Sequence, residues 1–234
     1  MRKKQVLLLV GIFILGFAFA FCAGIIKKHC SVIEWNGSTY NIENVNALDA
    51  NFARPYNEKL DDTGDLVLSL TCMGSLLIVF ISFLISKNKR VAFKEAVFEI
   101  YVFCISFLYS NAVYRILKTF AGRIRPYMYF ADPSQKGIAT GDFCRSWPSG
   151  HSANCFNIIA FVVFWFMLRH SDSKFKKPFI VLFFMAGITV MVLRMLSGNH
   201  FLTDVLSGAA IGFICGFSMD FLCNKIFAKK MEEL

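Results

Sequence analysis

Long apolar runs alternate with polar connections along this chain. The apolar runs cover about residues 6–26, 66–85, 97–117, 152–168, 178–196 and 203–223. A helix needs about 20 mostly apolar residues to cross the hydrocarbon core of a bilayer. The fourth run is slightly short and the third contains Glu99, but snorkelling side chains and local thinning of the bilayer tolerate both features. The pattern predicts an all-α fold, a bundle of six transmembrane helices.

Composition supports a membrane location. Hydrophobic residues make up 56% of the 234 positions, 27 residues are Phe, and the mean hydropathy is +0.54. Soluble domains are only about 45–50% apolar. We therefore predict a single integral membrane domain over residues 1–234. Its polar motifs lie within about 95–220, and the connection at 27–65 carries no role that we can assign.

Lys and Arg residues concentrate in alternate connections. If the N-terminus is cytoplasmic, the inner segments hold 14 of the 25 basic residues, namely Arg2, Lys3, Lys4, Lys87, Lys89, Arg90, Lys94, Arg169, Lys174, Lys176, Lys177, Lys225, Lys229 and Lys230. The positive-inside rule then places both termini in the cytoplasm and the connections 27–65 and 118–150 outside. The net charge of +9 mostly reflects this bias. Because the inner charges are scattered over four short segments, we expect no nucleic-acid partner.

The first apolar run has a second interpretation. "MRKK", an apolar core and "AFA" at 18–20 resemble a secretory signal peptide with its cleavage site. The apolar stretch continues to Ile26, which is long for a signal peptide and favours an uncleaved span. Both interpretations leave the 27–65 connection outside.

Six of the eight cysteines lie in or beside apolar runs, where a small buried hydrophobe is the simplest interpretation. Cys30 and Cys144 are in the outer connections. In an oxidising compartment they could form a disulfide, an alternative that their spacing leaves open. No cysteine spacing resembles a zinc site.

The first of three polar motifs is "KTFAGRIRP", which follows the third run. If the helix continues through it, Lys118 and Arg125 share one face, about two turns apart, and Pro126 ends the helix. A basic helix end that contacts lipid headgroups is the alternative. Arg115 and Arg123 fit either a site or a headgroup contact.

The second motif, "RSWPSGHSANC", begins the fourth run. Pro148 suits a first helical turn and Ser149 suits a helix cap. The N–H groups of a helix start favour an anion, and Gly150 would let that anion approach without meeting a side chain. The alternative is an ordinary cap followed by an interfacial histidine, His151.

The third motif is "RMLSGNHFLTD", with Arg194, His200 and Asp204. On a helix that opens the sixth run, residues four apart are neighbours, so the Asp204 carboxylate could reach the His200 imidazole. A carboxylate that binds one ring nitrogen leaves the other free as a nucleophile or base. The alternative is a polar pair at the membrane interface.

Alternate crossing of the membrane places all three motifs at one face. Three cations, two histidines and one carboxylate suit a phosphate dianion, whereas the cations would repel a divalent metal. We therefore expect a site without a metal or any other cofactor. The cations and the N–H groups near Ser149 and Gly150 would hold the phosphate oxygens.

The same residues suggest a phosphoryl-transfer chemistry. His200 would attack phosphorus while Asp204 orients the imidazole, and His151 would protonate the leaving alkoxide. Water activated by His151 would then release phosphate from the phosphohistidine.

These motifs resemble the three signature motifs of the type 2 phosphatidic acid phosphatase superfamily. The matching positions are Lys118, Arg125, Pro126, Pro148, Ser149, Gly150, His151, Arg194, His200 and Asp204. The resemblance covers about 95–220 and implies a six-helix membrane fold, a metal-free mechanism, a histidine nucleophile and a second histidine as general acid. Leu193 departs from the family, where serine often precedes the arginine, which puts a secondary phosphate contact in doubt.

A site at the ends of membrane spans favours a phosphorylated membrane lipid as substrate. Candidates are phosphatidic acid, phosphatidylglycerol phosphate, undecaprenyl pyrophosphate and lipid A. "SGNHFLTDVLSGA" is similar to the third motif of bacterial lipid A phosphatases, which favours lipid A among these candidates. We expect a bacterial cytoplasmic membrane, and the positive-inside rule puts the site on its extracytoplasmic face. A lipid phosphotransferase and a non-enzymatic lipid-phosphate binder or transporter remain alternatives. A vanadate haloperoxidase shares the motif pattern but is typically soluble. The oligomeric state stays open.

Overall fold

The computed structural model describes residues 3–29 and 35–228. Within these ranges the secondary structure is helical and contains no strand. The α-helices are α1 Lys3–His29, α2 Ala47–Ala50, α3 Glu58–Ile85, α4 Lys89–Ala121, α5 Gln135–Ala139, α6 Gly150–Arg169, α7 Lys176–Leu196 and α8 Leu202–Ala228. Short 3-10 turns cover Ile42–Asn44, Pro126–Tyr129 and Asp142–Cys144.

Five of the described helices are long and apolar enough to cross a membrane, namely α1, α3, α6, α7 and α8. The all-helical, multi-pass membrane fold predicted from the apolar runs is therefore confirmed. Helix α4 has 33 residues, with Lys89 in its first turn and Lys118 in its last. Its role as a sixth span, and the cytoplasmic location of both termini, stay predictions.

Glu99, the charged residue near the start of the third apolar run, is buried and paired. It is 5% exposed, and its Oε1 accepts a hydrogen bond of 2.9 Å from Nε of Arg169. A charge within an apolar environment is costly unless it is paired, and this contact between α4 and α6 supplies the partner.

Three glycines let α8 pack closely on α6. A Cβ on Gly208 or Gly212 would collide with the backbone of Ser149 or Ala153, and one on Gly216 would lie 2.9 Å from Cβ of Ala160. Small residues four apart form one stripe along a helix and allow backbones to approach, a common device between membrane helices. This packing holds the start of α6 beside the start of α8.

Gly212→Ala is expected to destabilise the protein. The added methyl group would overlap the backbone of Ala153, and overpacking of this kind costs about 1–3 kcal/mol. Thermal unfolding in detergent measures the effect. Gly11→Ala is the matched control, because a Cβ at Gly11 on α1 meets nothing within 4 Å. A melting temperature equally unchanged in both variants would contradict the close approach of α8 to α6.

Two connections cover the end of the bundle where α4 and α7 end and α6 and α8 begin. Their apolar core contains Tyr127, Met128, Phe143 and Cys144, with Trp35, Tyr40 and Tyr56 packed against it. The backbone N–H of Tyr40 donates to the carbonyl of Met128 at 3.2 Å. The connection at 27–65 therefore packs on the connection at 118–150. The suggested disulfide falls outside the described residues, because Cys30 does.

Candidate functional site

The three sequence motifs meet beneath these two connections. Lys118 lies in the last turn of α4, His151 in the first turn of α6 and Arg194 in the last turn of α7. His200 lies two residues before the start of α8 at Leu202, and Asp204 lies in the first turn of that helix. These helix ends share one end of the bundle, so residues distant in sequence become neighbours.

His200 occupies the centre of this group and is 1% exposed. Burial, followed by the positive charges of Lys118, Arg125 and Arg194, lowers the pKa of His200 well below its usual value. A neutral imidazole keeps a lone pair on one nitrogen, which is what a nucleophile or base requires. His200 is thus kept unprotonated at neutral pH among three cations.

Asp204 reaches His200, but not through the helical geometry that the sequence suggested. Helix α8 begins at Leu202, so His200 precedes it, and the helical i, i+4 expectation is wrong. Oδ2 of Asp204 lies 3.7 Å from Nδ1 of His200. The same oxygen accepts hydrogen bonds from the Phe201 N–H at 2.9 Å and from the Ser146 hydroxyl at 2.5 Å. These donors hold the carboxylate beside the ring.

Arg123 joins Asp204 to the connection at 27–65. Its Nη1 lies 2.5 Å from Oδ1 of Asp204, and its Nη2 lies 2.6 Å from Oδ2 of Asp49. Burial alone would raise the pKa of Asp49, but hydrogen bonds from Arg123 and Thr203 outweigh it and hold the pKa below its usual value. Arg123 thus contacts a motif residue, and its assignment to the site rather than to a headgroup contact stays a prediction. No sequence signal pointed to Asp49.

The seven-residue spacing suggested that Lys118 and Arg125 share one helix, but they do not. Gly122 has a φ of 57°, in the left-handed region, and ends α4 after Ala121. Arg125 is instead held by the connections. Its backbone N–H donates to Phe143 O at 2.7 Å, and its Nε donates to Asp142 O at 2.8 Å. Lys118 forms no ion pair within the ranges that the structure describes.

The second motif forms the start of α6, with a serine as its N-terminal cap. Ser149 is the N-cap, and its hydroxyl accepts a hydrogen bond of 3.4 Å from the Ser152 N–H. Pro148 precedes the cap and so lies outside the first turn. A Cβ on Gly150 would come within 3.0 Å of the Tyr114 ring. Glycine therefore also suits the close packing against Tyr114 of α4, which the sequence alone did not indicate.

Two carboxylates that sequence reasoning missed lie against the motif residues. Helix α3 begins at Glu58, eight residues before the apolar run at 66–85, and so brings Asp61 and Asp65 into the group. Asp61 forms an ion pair with Arg194. Asp65 Oδ1 lies 2.6 Å from His151 Nε2 and 3.3 Å from Arg194 Nη1. Two acidic residues four apart directly before an apolar run were the available signal.

Asp65 contacts His151, and both Asp61 and Asp65 contact Nη1 of Arg194. The buried Nε of Arg194 has no hydrogen-bond partner in the described ranges, and oxygen atoms of a phosphate would suit both basic side chains. Within the described part of the chain, no group of three or more His, Cys, Asp or Glu is arranged to hold a metal ion. The arrangement can bind an oxyanion next to a neutral histidine.

Comparison with known proteins decides the family. The family model of the PAP2 superfamily matches residues 99–229, which include every motif residue described above. This chain belongs to the PAP2 superfamily. A PA-phosphatase related-family protein of Dictyostelium discoideum is 29% identical to it over 178 residues, 70% of this chain and 62% of that protein. Phosphatidylglycerophosphatase B of Bacillus subtilis is 34% identical over 83 residues, 35% of this chain and 40% of that protein. The chain therefore spans less than two thirds of the length of either relative.

The PAP2 fold is also shown by a solved structure. The crystal structure of a transmembrane PAP2 type phosphatidylglycerolphosphate phosphatase from Bacillus subtilis superposes with a TM-score of 0.53 at 21% sequence identity. The match covers 93% of this PAP2 chain and 96% of the other. At this identity the likeness supports the arrangement of helices and leaves the chemistry to the residues.

Proposed function

We propose that this protein is a metal-independent phosphatase that removes phosphate from a membrane lipid through a phosphohistidine intermediate. The observation that carries the proposal is the environment of His200, a buried neutral imidazole with Lys118, Arg125 and Arg194 around it and Asp204 beside it. Membership in the PAP2 superfamily supports the lipid-phosphate class, and so does the name of the Bacillus subtilis relative, a phosphatidylglycerophosphatase.

In the proposed first step, a nitrogen of His200 attacks phosphorus and the ester P–O bond breaks. The leaving alkoxide takes a proton from His151, so the lipid alcohol departs neutral. Asp204 stabilises the positive charge that develops on His200. In the second step His151, now a base, takes a proton from water, which attacks phosphorus and breaks the P–N bond. Inorganic phosphate leaves, and both histidines return to their initial states.

The phosphate oxygens would be bound by Lys118, Arg125, Arg194 and the N–H groups at Ser149 and Gly150. The carboxylates of Asp61 and Asp65 contact Arg194 and His151 at the positions that a phosphate needs. Substrate binding must therefore displace these two carboxylates or place them against uncharged parts of the lipid, because two anions in contact repel each other.

Arg194→Lys is expected to lower kcat/KM for phosphate release by about 10²–10³-fold. A guanidinium can bind two phosphate oxygens at once and an ammonium cannot, and loss of one fixed donor to a transition state costs about this much. The assay is phosphate release from phosphatidic acid in mixed micelles. Arg115→Lys is the control, since Arg115 is exposed near the end of α4. Full activity of Arg194→Lys would remove this residue from the site.

We further propose which side of the membrane the site faces and how many times the chain crosses it. The basic residues at the α3–α4 and α6–α7 connections lie at the opposite end of the bundle from the candidate site, so the positive-inside rule favours an extracytoplasmic site. With α4 as a sixth span, both termini would be cytoplasmic. A bacterial cytoplasmic membrane and one integral domain that contains residues 95–220 complete the proposal.

The test is phosphate release by the purified protein from four lipids. These are phosphatidic acid, phosphatidylglycerol phosphate, undecaprenyl pyrophosphate and lipid A, each with and without a chelator of divalent cations. We expect release from at least one lipid at a rate that the chelator does not change. Release that stops with chelator would exclude the metal-free mechanism. Binding without release would favour a transporter or scaffold, and transfer to an added acceptor lipid would indicate a phosphotransferase.

A further inference from the structure

A second polar cavity lies at the end of the bundle opposite the candidate site. It has a volume of about 420 Å³ and is enclosed by the end of α3, the start of α4 and the end of α6. Its polar lining includes Ser82, Glu95, Glu99, Arg169 and His170. The proposed phosphatase chemistry uses none of these residues, so the cavity needs a separate explanation.

The cavity carries an unbalanced negative charge. Glu99 and Arg169 neutralise each other through their 2.9 Å contact. Glu95 is partly buried and has no ion-pair partner within 4.0 Å in the described ranges. Burial lowers the pKa of His170, which keeps the ring neutral, and its Nε2 lies 3.1 Å from the Ser82 hydroxyl. A cation is therefore the complementary occupant.

An apolar groove of about 770 Å³ opens directly from this cavity. The two spaces share four lining residues, Ser82, Ile85, Trp165 and His170. The groove runs between α3 and α7, and exposed apolar side chains such as Leu77, Ile81 and Leu182 line it. It is therefore open on the side that faces the hydrocarbon of the bilayer.

We propose that the cavity and the groove together bind one aminophospholipid, with its ammonium group at Glu95 and one acyl chain in the groove. The groove alone would accept any acyl chain, so Glu95 decides between head groups. Phe83 lines the cavity, and Nζ of Lys89 lies 5.6 Å from the centre of its ring while donating to the carbonyls of Phe83 and Leu84. From there Lys89 would reach the phosphodiester. An anionic head group without an amine would gain that contact but be repelled by Glu95.

The inference does not depend on the proposed phosphatase activity. Phosphatidylethanolamine has a phosphodiester and no terminal phosphate, and its proposed site lies at the other end of the helices. His200→Ala should bind this lipid as the unaltered protein does. Loss of phosphate release and loss of lipid binding are therefore separable results.

The test is native mass spectrometry of the full chain in detergent, titrated with phosphatidylethanolamine or phosphatidylglycerol of identical acyl chains. We expect phosphatidylethanolamine to bind about tenfold more tightly, and Glu95→Gln to remove that preference. Asp172→Asn is the matched control, because Asp172 is an exposed carboxylate at the same end that lines neither space. Equal binding of the two lipids, or a preference that survives Glu95→Gln, would overturn the proposal.

The groove has its own variant pair. Ala186 lines the groove, whereas Met185 is an exposed neighbour on α7 that does not. Ala186→Phe should weaken phosphatidylethanolamine binding about tenfold by filling the groove, and Met185→Phe should leave it unchanged. If Asp65→Asn weakened phosphatidylethanolamine binding and Glu95→Gln did not, the amine would bind at the candidate site and the assignment would be refuted. If Ala186→Phe does not fold, Glu95→Gln decides alone.

Discussion

Replacing His200 with alanine is expected to reduce phosphate release from a lipid phosphate by at least about 10⁴-fold. The variant removes the group that would form the covalent intermediate, and loss of a nucleophile from a catalytic unit leaves only residual transition-state binding. His200 is almost fully buried, so solvent cannot simply take its place. The rate is measured as inorganic phosphate produced from phosphatidic acid at saturating substrate.

His151→Ala should behave differently. A general acid contributes about 10²–10⁴-fold, and its loss matters most when the leaving group is a poor one. An aryl phosphate, whose leaving group needs no proton, should lose much less activity than the lipid. His170→Ala serves as the control, since His170 lines the cavity at the opposite end. Equal residual activity of the His200 and His151 variants on both substrates would refute the assignment of roles.

Asp204→Asn is the second substitution with a large expected effect, a loss of about 10³–10⁴-fold in kcat. The amide keeps the size of the carboxylate but has no charge to stabilise the positive imidazole that forms in the proposed first step. It would also break the ion pair with Arg123 and place an amide against the Phe201 N–H. The measurement is kcat for phosphate release, together with a melting temperature that separates lost chemistry from lost folding.

Asp220→Asn is the matched control for this prediction. Asp220 is also a buried carboxylate on α8, at 1% exposure, but it lies four turns further along the helix. The control should keep its kcat. A kcat of Asp204→Asn above a tenth of the unaltered value would show that the charge of Asp204 is not needed for the reaction.

The apolar runs were sufficient to predict the helical membrane fold, because the hydrocarbon core imposes a length and a composition on each span. They were less informative about where helices end. Helix α3 begins eight residues before its apolar run. Its first two turns carry acidic residues that face the candidate site, so a hydropathy pattern could not reveal them as part of the helix. Gly122 ends α4 before Arg125. The prediction from the seven-residue spacing did not take this helix-ending glycine into account.

The residues of the candidate site were predictable where they belong to a sequence motif, and were not predictable where they lie in a loop without one. Alternate crossing predicted that these ends of α4, α6, α7 and α8 would share one face, and in the structure they lie at one end of the bundle. Asp49 lies in a connection without periodicity, so nothing in the sequence links it to Arg123, 74 residues later. The spacing of Gly208, Gly212 and Gly216 was visible in the sequence, but only the packing shows that it brings α8 onto Ser149.

The most direct test of the account is to locate the transferred phosphoryl group. The purified protein would be mixed with phosphatidic acid, stopped within milliseconds in alkali, which preserves phosphohistidine, and digested for mass spectrometry. The account predicts a phosphoryl group on the peptide that contains His200, absent from the His200→Ala variant. A phosphoryl group on another residue, or full turnover with no phosphorylated peptide at any time point, would contradict it.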